Sequence, residues 1–189
     1  MEALLTSTAV VALAEIGDKT QLLAILLATR FKRPLPVIAG IFVATLANHF
    51  LAALVGEQVA SILDGLWFRY LIAASFVAMA IWTLIPDKID DLEDKPAKFG
   101  AFVTTTIAFF LVEMGDKTQI ATVALGARFH EVLPVMMGTT IGMLLANVPA
   151  VFLGQELIKR VPLNIVRMVA ALLFLVIGLW LAASTAGLI

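Results

Sequence analysis

The sequence has no cysteine and few charged residues. Without cysteine, the 189-residue chain has neither a disulfide framework nor a thiolate metal site. Charged residues make up 14% of the chain and hydrophobic residues 61%, whereas a soluble globular domain is about 25% charged and about 45–50% apolar. The net charge of −1 leaves no basic field to neutralise phosphates, which excludes a nucleic-acid partner. These absences predict an integral membrane protein.

Six apolar runs approach or exceed the length of about 20 residues with which a helix crosses a bilayer. The predicted spans run from about Ala3 to Thr29, Leu35 to Val55, Leu66 to Ile85, Phe102 to Ala127, Leu133 to Leu153 and Asn164 to Ala186. The first run is expected to be a retained helix, because the residues before it lack the basic region of a signal peptide.

The two halves of the chain repeat each other at a constant offset of 98 residues. The matched pairs include Glu15 with Glu113, Gly17 with Gly115, Asp18 with Asp116, Lys19 with Lys117, Gly40 with Gly138, Arg69 with Arg167 and Trp82 with Trp180. Each half has three spans, an odd number, so the second half must enter the membrane from the opposite side. The predicted fold is therefore an all-α membrane protein of six transmembrane helices. It forms two inverted-topology three-helix repeats, residues 1–86 and 99–189, the arrangement of many secondary transporters.

The distribution of lysine and arginine predicts the orientation of the spans. Nine of these residues lie in the loops on one side, and only Arg69 and Arg128 lie on the other. Because the side richer in lysine and arginine is usually cytoplasmic, both termini are expected outside the cell. The acidic linker, residues 87–98, is expected in the cytoplasm.

A Glu-x-Gly-Asp-Lys-Thr motif lies near the middle of the first and fourth spans. Its acids are Glu15 and Asp18 in the first copy and Glu113 and Asp116 in the second. An ionisable residue inside a membrane costs about 2.5–3.5 kcal/mol or more, and such residues usually mark a transport path. With a spacing of three, the acids of each motif are predicted to share one helix face. Pseudo-symmetry would then gather four carboxylates, which suit a hard divalent cation such as Ca²⁺ or Mn²⁺.

The other motif residues refine this hypothesis. Lys19 and Lys117 each follow a motif glutamate by four residues, the order that favours a helical ion pair. They are predicted to balance charge, leaving about −2 for one divalent cation, or to replace the cation when the site empties. The glycine of each motif allows either close helix approach or a local break that frees carbonyl oxygens.

Four amide side chains are weaker candidates for metal ligands: Gln21, Gln119, Asn48 and Asn147. Hydrogen bonding between helices is an alternative role for each of them. The intramembrane His49 has no histidine counterpart in the second half, and either a packing role or a proton relay fits it.

The doubled motif resembles the signature of the Gdt-type small cation exchangers. That family includes Golgi and chloroplast manganese/calcium transporters and bacterial manganese exporters. The resemblance covers nearly the whole chain and implies Mn²⁺ or Ca²⁺ transport in exchange for protons, with Glu15, Asp18, Glu113 and Asp116 as ligands. It also implies a multi-pass protein of the bacterial inner membrane.

The predicted function is a secondary exporter of Mn²⁺ driven by entry of protons or Na⁺. A Ca²⁺/H⁺ antiporter and a cation channel lined by an acidic ring are the alternatives. An enzyme is not expected, because no nucleophile, base and orienting group occur together. No cofactor is expected; the partners are the transported cation and membrane lipid. One chain suffices in principle, and a homodimer is possible.

Overall fold

The computed structural model describes residues 1–63, 65–85, 99–154 and 162–188, and all regular secondary structure within them is α-helical. In chain order the helices are α1 (Glu2–Glu15), α2 (Lys19–Phe31), α3 (Pro34–Ile62), α4 (Leu66–Thr83), α5 (Ala101–Glu113), α6 (Lys117–Phe129), α7 (Val132–Leu153) and α8 (Leu163–Thr185).

Four of these helices are long and apolar enough to cross a membrane: α3, α4, α7 and α8, with 29, 18, 22 and 23 residues. They correspond to the predicted second, third, fifth and sixth spans, although α3 continues to Ile62, seven residues beyond the predicted end at Val55. The agreement arises because uninterrupted apolar sequence fixes both the type and the extent of these helices.

The predicted first and fourth spans are each divided into two half-helices, α1 with α2 and α5 with α6. Each half-helix has 13 or 14 residues and is therefore about 20 Å long. The prediction that the acids of a motif share one face of one helix is wrong, and the alternative of a local break is confirmed. Whether each pair of half-helices completes a membrane span stays a prediction, and the predicted linker 87–98 lies outside the described residues.

Several contacts between the two halves follow the 98-residue offset. Phe76 on α4 and Phe174 on α8, equivalent residues of the two repeats, pack against each other with ring centroids 6.3 Å apart. Helix α1 packs against α7, as α5 packs against α3. A Cβ at Gly40 would meet Thr105 and Phe102, and one at Gly138 would meet the equivalent residues Ser7 and Leu4. The two halves thus use the same packing at these positions.

The packing of α6 and α2 does not follow this symmetry. Gly56 on α3 lies against the backbone of Val123 on α6, and a Cβ at Gly126 on α6 would lie 2.5 Å from the carbonyl oxygen of Ala53. Gly154, the equivalent of Gly56, has no atom of the described residues within 4 Å of its Cβ position. Among the described residues, α6 packs closely on α3, whereas α2 makes fewer contacts with α7.

Candidate metal centre

Each motif forms a short non-helical break. In the first, α1 ends at Glu15 and α2 begins at Lys19, with Asp18 at the N-cap in an extended conformation. Gly17 turns the chain with a φ of 81°, and Gly115 does so in the second break with a φ of 78°. Only glycine adopts this left-handed region without steric cost. Each glycine therefore fixes where its motif leaves the helix.

Exchanging these glycines for alanine tests the breaks. Gly115→Ala should lower the free energy of unfolding by about 1–2 kcal/mol, the cost of the left-handed conformation for a residue with a Cβ. Gly17→Ala should cost more, because its Cβ would lie 2.7 Å from Cδ2 of Leu163, whereas no atom of the described residues lies within 4 Å of the Cβ position at Gly115. Thermal unfolding in detergent measures both losses.

Two controls accompany this prediction. Gly100→Ala should change stability little, since Gly100 has a φ of −66° and no atom of the described residues lies within 4 Å of its Cβ position. Adding Leu163→Ala to Gly17→Ala should recover the excess loss. Equal losses at Gly17 and Gly115 would show that Leu163 does not restrict the first break.

The two motif glutamines hold the breaks in place. The Gln21 side-chain oxygen accepts a hydrogen bond from the Gly17 backbone N–H at 2.9 Å, and that of Gln119 accepts one from Gly115 at 2.6 Å. This resembles the reach of an N3 glutamine back over a helix start in a capping box. Because these oxygens already accept a hydrogen bond from a backbone N–H, the geometry gives the two glutamines a structural role. Their additional role as ligands stays a prediction.

Each glutamine nitrogen ties its break to a neighbouring helix. Gln21 donates to the carbonyl oxygen of Ala146 on α7 at 2.9 Å, while Gln119 donates to the side-chain oxygen of Asn48 on α3. Asn48 and Ala146 are equivalent positions, so a side chain in one half takes the place of a backbone carbonyl in the other. Asn48 in turn donates to the carbonyl oxygen of Phe110 on α5 at 3.2 Å.

The remaining polar candidates on α3 and α7 are buried beside this network. Asn147 donates to the carbonyl oxygen of Met143 at 3.0 Å, and its own oxygen has no hydrogen-bond partner among the described residues. His49 is fully buried, and neither ring nitrogen has a hydrogen-bond partner within the described part of the chain. Neither residue belongs to the cluster of three carboxylates formed by Glu15, Glu113 and Asp116.

Three of the four motif acids converge. Glu15, Glu113 and Asp116 each offer a carboxylate oxygen, and these oxygens all lie within 4.8 Å of one another. The three side chains are 0–3% exposed. Two oxygens on opposite sides of a Ca²⁺ ion, each at 2.3–2.6 Å, are about 4.6–5.2 Å apart. Three oxygens at most 4.8 Å apart lie within about 2.8 Å of a common point, so small shifts of the side chains would let one hard cation contact all three.

Threonines orient the two glutamates. Thr20 donates to Oε2 of Glu15 at 2.5 Å, and Thr118 donates to Oε2 of Glu113 at 3.0 Å. The other oxygens, Oε1 of both glutamates and Oδ2 of Asp116, have no hydrogen-bond partner among the described residues. Buried polar atoms without partners are rare in folded proteins, and three converging carboxylate oxygens are typical of a cation site.

The motif lysines pair across the two repeats. Lys19 lies 2.7 Å from Oδ1 of Asp116, and Lys117 lies 2.6 Å from Oδ1 of Asp18. The predicted ion pairs with Glu15 and Glu113 in the same helix are wrong, because the breaks end the helix at each glutamate and turn the lysine toward the opposite repeat. Asp18 lies outside the three-carboxylate cluster in this arrangement.

Sequence reasoning missed the crossed pairs and the threonine contacts. Thr20 and Thr118 follow the glutamates by five residues, a spacing that does not bring side chains together on a continuous helix. The positive-φ glycines between them were the available signal, because a break permits such a contact.

A family model described as the divalent cation/proton antiporter GDT1 matches residues 3–91 and 101–187. The chain belongs to this family. It is therefore a membrane transporter of divalent cations and not an enzyme, as the sequence predicted.

Individual relatives of this GDT1 protein cover nearly its whole length. A Vibrio cholerae protein whose name makes it a candidate manganese exporter is 52% identical over 180 residues, which span 95% of this chain and 90% of that protein. GDT1-like protein 5 of Arabidopsis thaliana is 27% identical over 92% of both chains. GDT1-like protein sll0615 of Synechocystis is 28% identical over 87% of this chain and 88% of that one. No solved structure matches the chain.

Proposed function

We propose that this GDT1 protein exports Mn²⁺ across a bacterial inner membrane in exchange for protons. The observation that carries the proposal is the convergence of three buried carboxylates at the meeting of two half-helix breaks. Hard carboxylate ligands suit Mn²⁺, and the Vibrio cholerae relative is named for manganese export. Calcium is the second candidate, because the same oxygen set also suits Ca²⁺.

Alternating access about the cluster is the proposed mechanism. The six predicted spans would form an inverted repeat, with α1–α2 and α5–α6 as broken spans that meet at the site. Secondary transporters of this kind bind their ions at such breaks near the membrane midplane. The packing shared by the two halves supports a pseudo-two-fold, and the looser seat of α2 supports a conformation in which one side is more open.

The acids are proposed to carry both transported species. Glu15, Glu113 and Asp116 would bind the cation together in this conformation. After its release, neighbouring carboxylates in a buried site would repel one another, which favours proton uptake. The orientation proposed with this mechanism has both termini outside and the linker 87–98 in the cytoplasm, and one chain suffices for transport.

Flux through purified protein in sealed vesicles tests the proposal. An imposed pH gradient should drive Mn²⁺ uphill, and Mn²⁺ movement should in turn move protons in the opposite direction. Excess Ca²⁺ should slow Mn²⁺ flux less than an equal excess of unlabelled Mn²⁺. Mn²⁺ flux that does not depend on the pH gradient and moves no counter-ion would instead support a channel. If excess Ca²⁺ slowed Mn²⁺ flux more than an equal excess of unlabelled Mn²⁺, calcium would be the main substrate.

A further inference from the structure

The two crossed ion pairs occupy different environments, although the sequence makes them equivalent. The Lys19 side chain is 29% exposed and pairs with Asp116, a member of the three-carboxylate cluster. The Lys117 side chain is 5% exposed and pairs with Asp18, which lies outside that cluster. One lysine therefore holds an acid of the cation site at an accessible position, while the other holds a separate acid in the interior.

The surrounding helices explain the difference in exposure. Lys117 begins α6, which Gly56 and Gly126 seat closely on α3. Lys19 begins α2, and Gly154, the equivalent of Gly56, follows the end of α7 and has no atom of the described residues within 4 Å of its Cβ position. The break beside Asp116 is also exposed at Met114 and Gly115.

The first break is covered where the second is open. Gly17 lies beneath Leu163 at the start of α8, and the position equivalent to Leu163 is Gly65, which has no side chain. The cavity beside Asp18 and Lys117 has a volume of about 10 Å³, close to the minimum that holds one water molecule. Packing thus closes the Asp18–Lys117 pair and leaves the Lys19–Asp116 pair approachable.

We propose that Lys19 occupies the place of the incoming cation and is displaced from Asp116 when the cation binds, whereas Lys117 stays paired with Asp18. This proposal rests on the proposed function, since it assigns the cation's path into that same site. Lys19 is a positioning residue here. It offsets one of the three negative charges of the empty cluster, and its departure as a divalent cation arrives limits the rise in buried positive charge. It also sets the affinity, because every binding event must break its ion pair.

Equilibrium binding of Mn²⁺ alone to the purified full chain tests the proposal. Lys19→Met removes the competitor for Asp116, so Mn²⁺ should bind about tenfold more tightly, a gain of about 1.4 kcal/mol. Lys19→Arg keeps the charge and should restore the wild-type affinity. Lys117→Met removes a partner of Asp18, which lies outside the cluster, and should not tighten binding. The double variant Asp18→Asn/Lys117→Met serves as the control if Lys117→Met does not fold.

The outcomes separate this proposal from the proposed function. If wild-type protein binds Mn²⁺ through the acids but Lys19→Met binds equally or more weakly, the role of Lys19 is overturned and the cation site stands. If removal of Lys117 tightens binding as much as removal of Lys19, the asymmetry is overturned. If replacing the cluster acids leaves Mn²⁺ binding unchanged, the proposed function itself fails.

Accessibility gives a second test that does not depend on affinity. Because the chain contains no cysteine, Lys19→Cys and Lys117→Cys each introduce a single thiol. A water-soluble cationic thiol reagent should modify Lys19→Cys at least about tenfold faster, since thiol reactions depend on access. Added Mn²⁺ should slow that reaction through electrostatic repulsion. Equal rates in the two variants would contradict the proposal.

Discussion

Replacing Glu113 with glutamine should abolish Mn²⁺ transport by this protein. Glu113 is fully buried and its carboxylate is one of the three that converge, and its Oε1 has no hydrogen-bond partner among the described residues. The amide removes one unit of negative charge and presents a weaker ligand at nearly the same volume. Loss of an outer hydrogen-bonding partner of a metal site already costs about 10–100-fold in affinity or activity. Loss of a ligand should therefore lower the initial rate by at least about 100-fold.

Flux of Mn²⁺ into vesicles that contain equal amounts of folded protein measures this effect. Glu131→Gln makes the same chemical change at an exposed position at the start of α7 and should transport at the wild-type rate. Thr118 should still donate its hydrogen bond to the introduced amide oxygen, so the fold is expected to survive. If Glu113→Gln transported Mn²⁺ at the wild-type rate, Glu113 would not be a ligand of the transported cation.

Replacing Lys117 with methionine should strongly destabilise the protein. Asp18 and Lys117 are 1% and 4% exposed, and their charged atoms lie 2.6 Å apart. Removing one partner of a buried ion pair typically costs about 3–5 kcal/mol. The free energy of unfolding in detergent should therefore fall by an amount in this range.

A double-mutant cycle distinguishes loss of the ion pair from loss of packing. Asp18→Asn combined with Lys117→Met removes both charges and should recover most of the stability lost in Lys117→Met alone, because the two effects are coupled. Lys32→Met alters an exposed lysine and should be neutral. If the double variant is as unstable as the sum of the single variants, the pair contributes no coupling energy.

Much of this fold follows from the sequence because apolar length is a strong signal. Helices α3, α4, α7 and α8 begin and end within a few residues of the predicted spans, except for the longer C-terminal end of α3. The motif acids were identified because charge inside an apolar run is costly. The break at Gly17 remained one of two alternatives, since glycine permits a positive φ but does not require it.

The geometry of the site was less predictable, because sequence spacing describes neighbours on one helix. Lys19 was assigned to Glu15 by a rule that holds only for a continuous helix. Its pairing with Asp116 depends on how two distant repeats meet, which no local pattern encodes. The exact 98-residue offset also suggested equal halves. The substitutions that accompany the asymmetry were visible only as departures from the repeat, such as Leu163 in place of Gly65.

Counting Mn²⁺ ions bound to the purified chain tests the central claim most directly. Equilibrium binding should give one Mn²⁺ per wild-type chain. The variant Glu15→Gln/Glu113→Gln/Asp116→Asn should bind none over the same concentration range, with its helical content retained. Mn²⁺ bound to this triple variant with the stoichiometry and affinity of the wild type would contradict the account, because the cation site would then lie elsewhere.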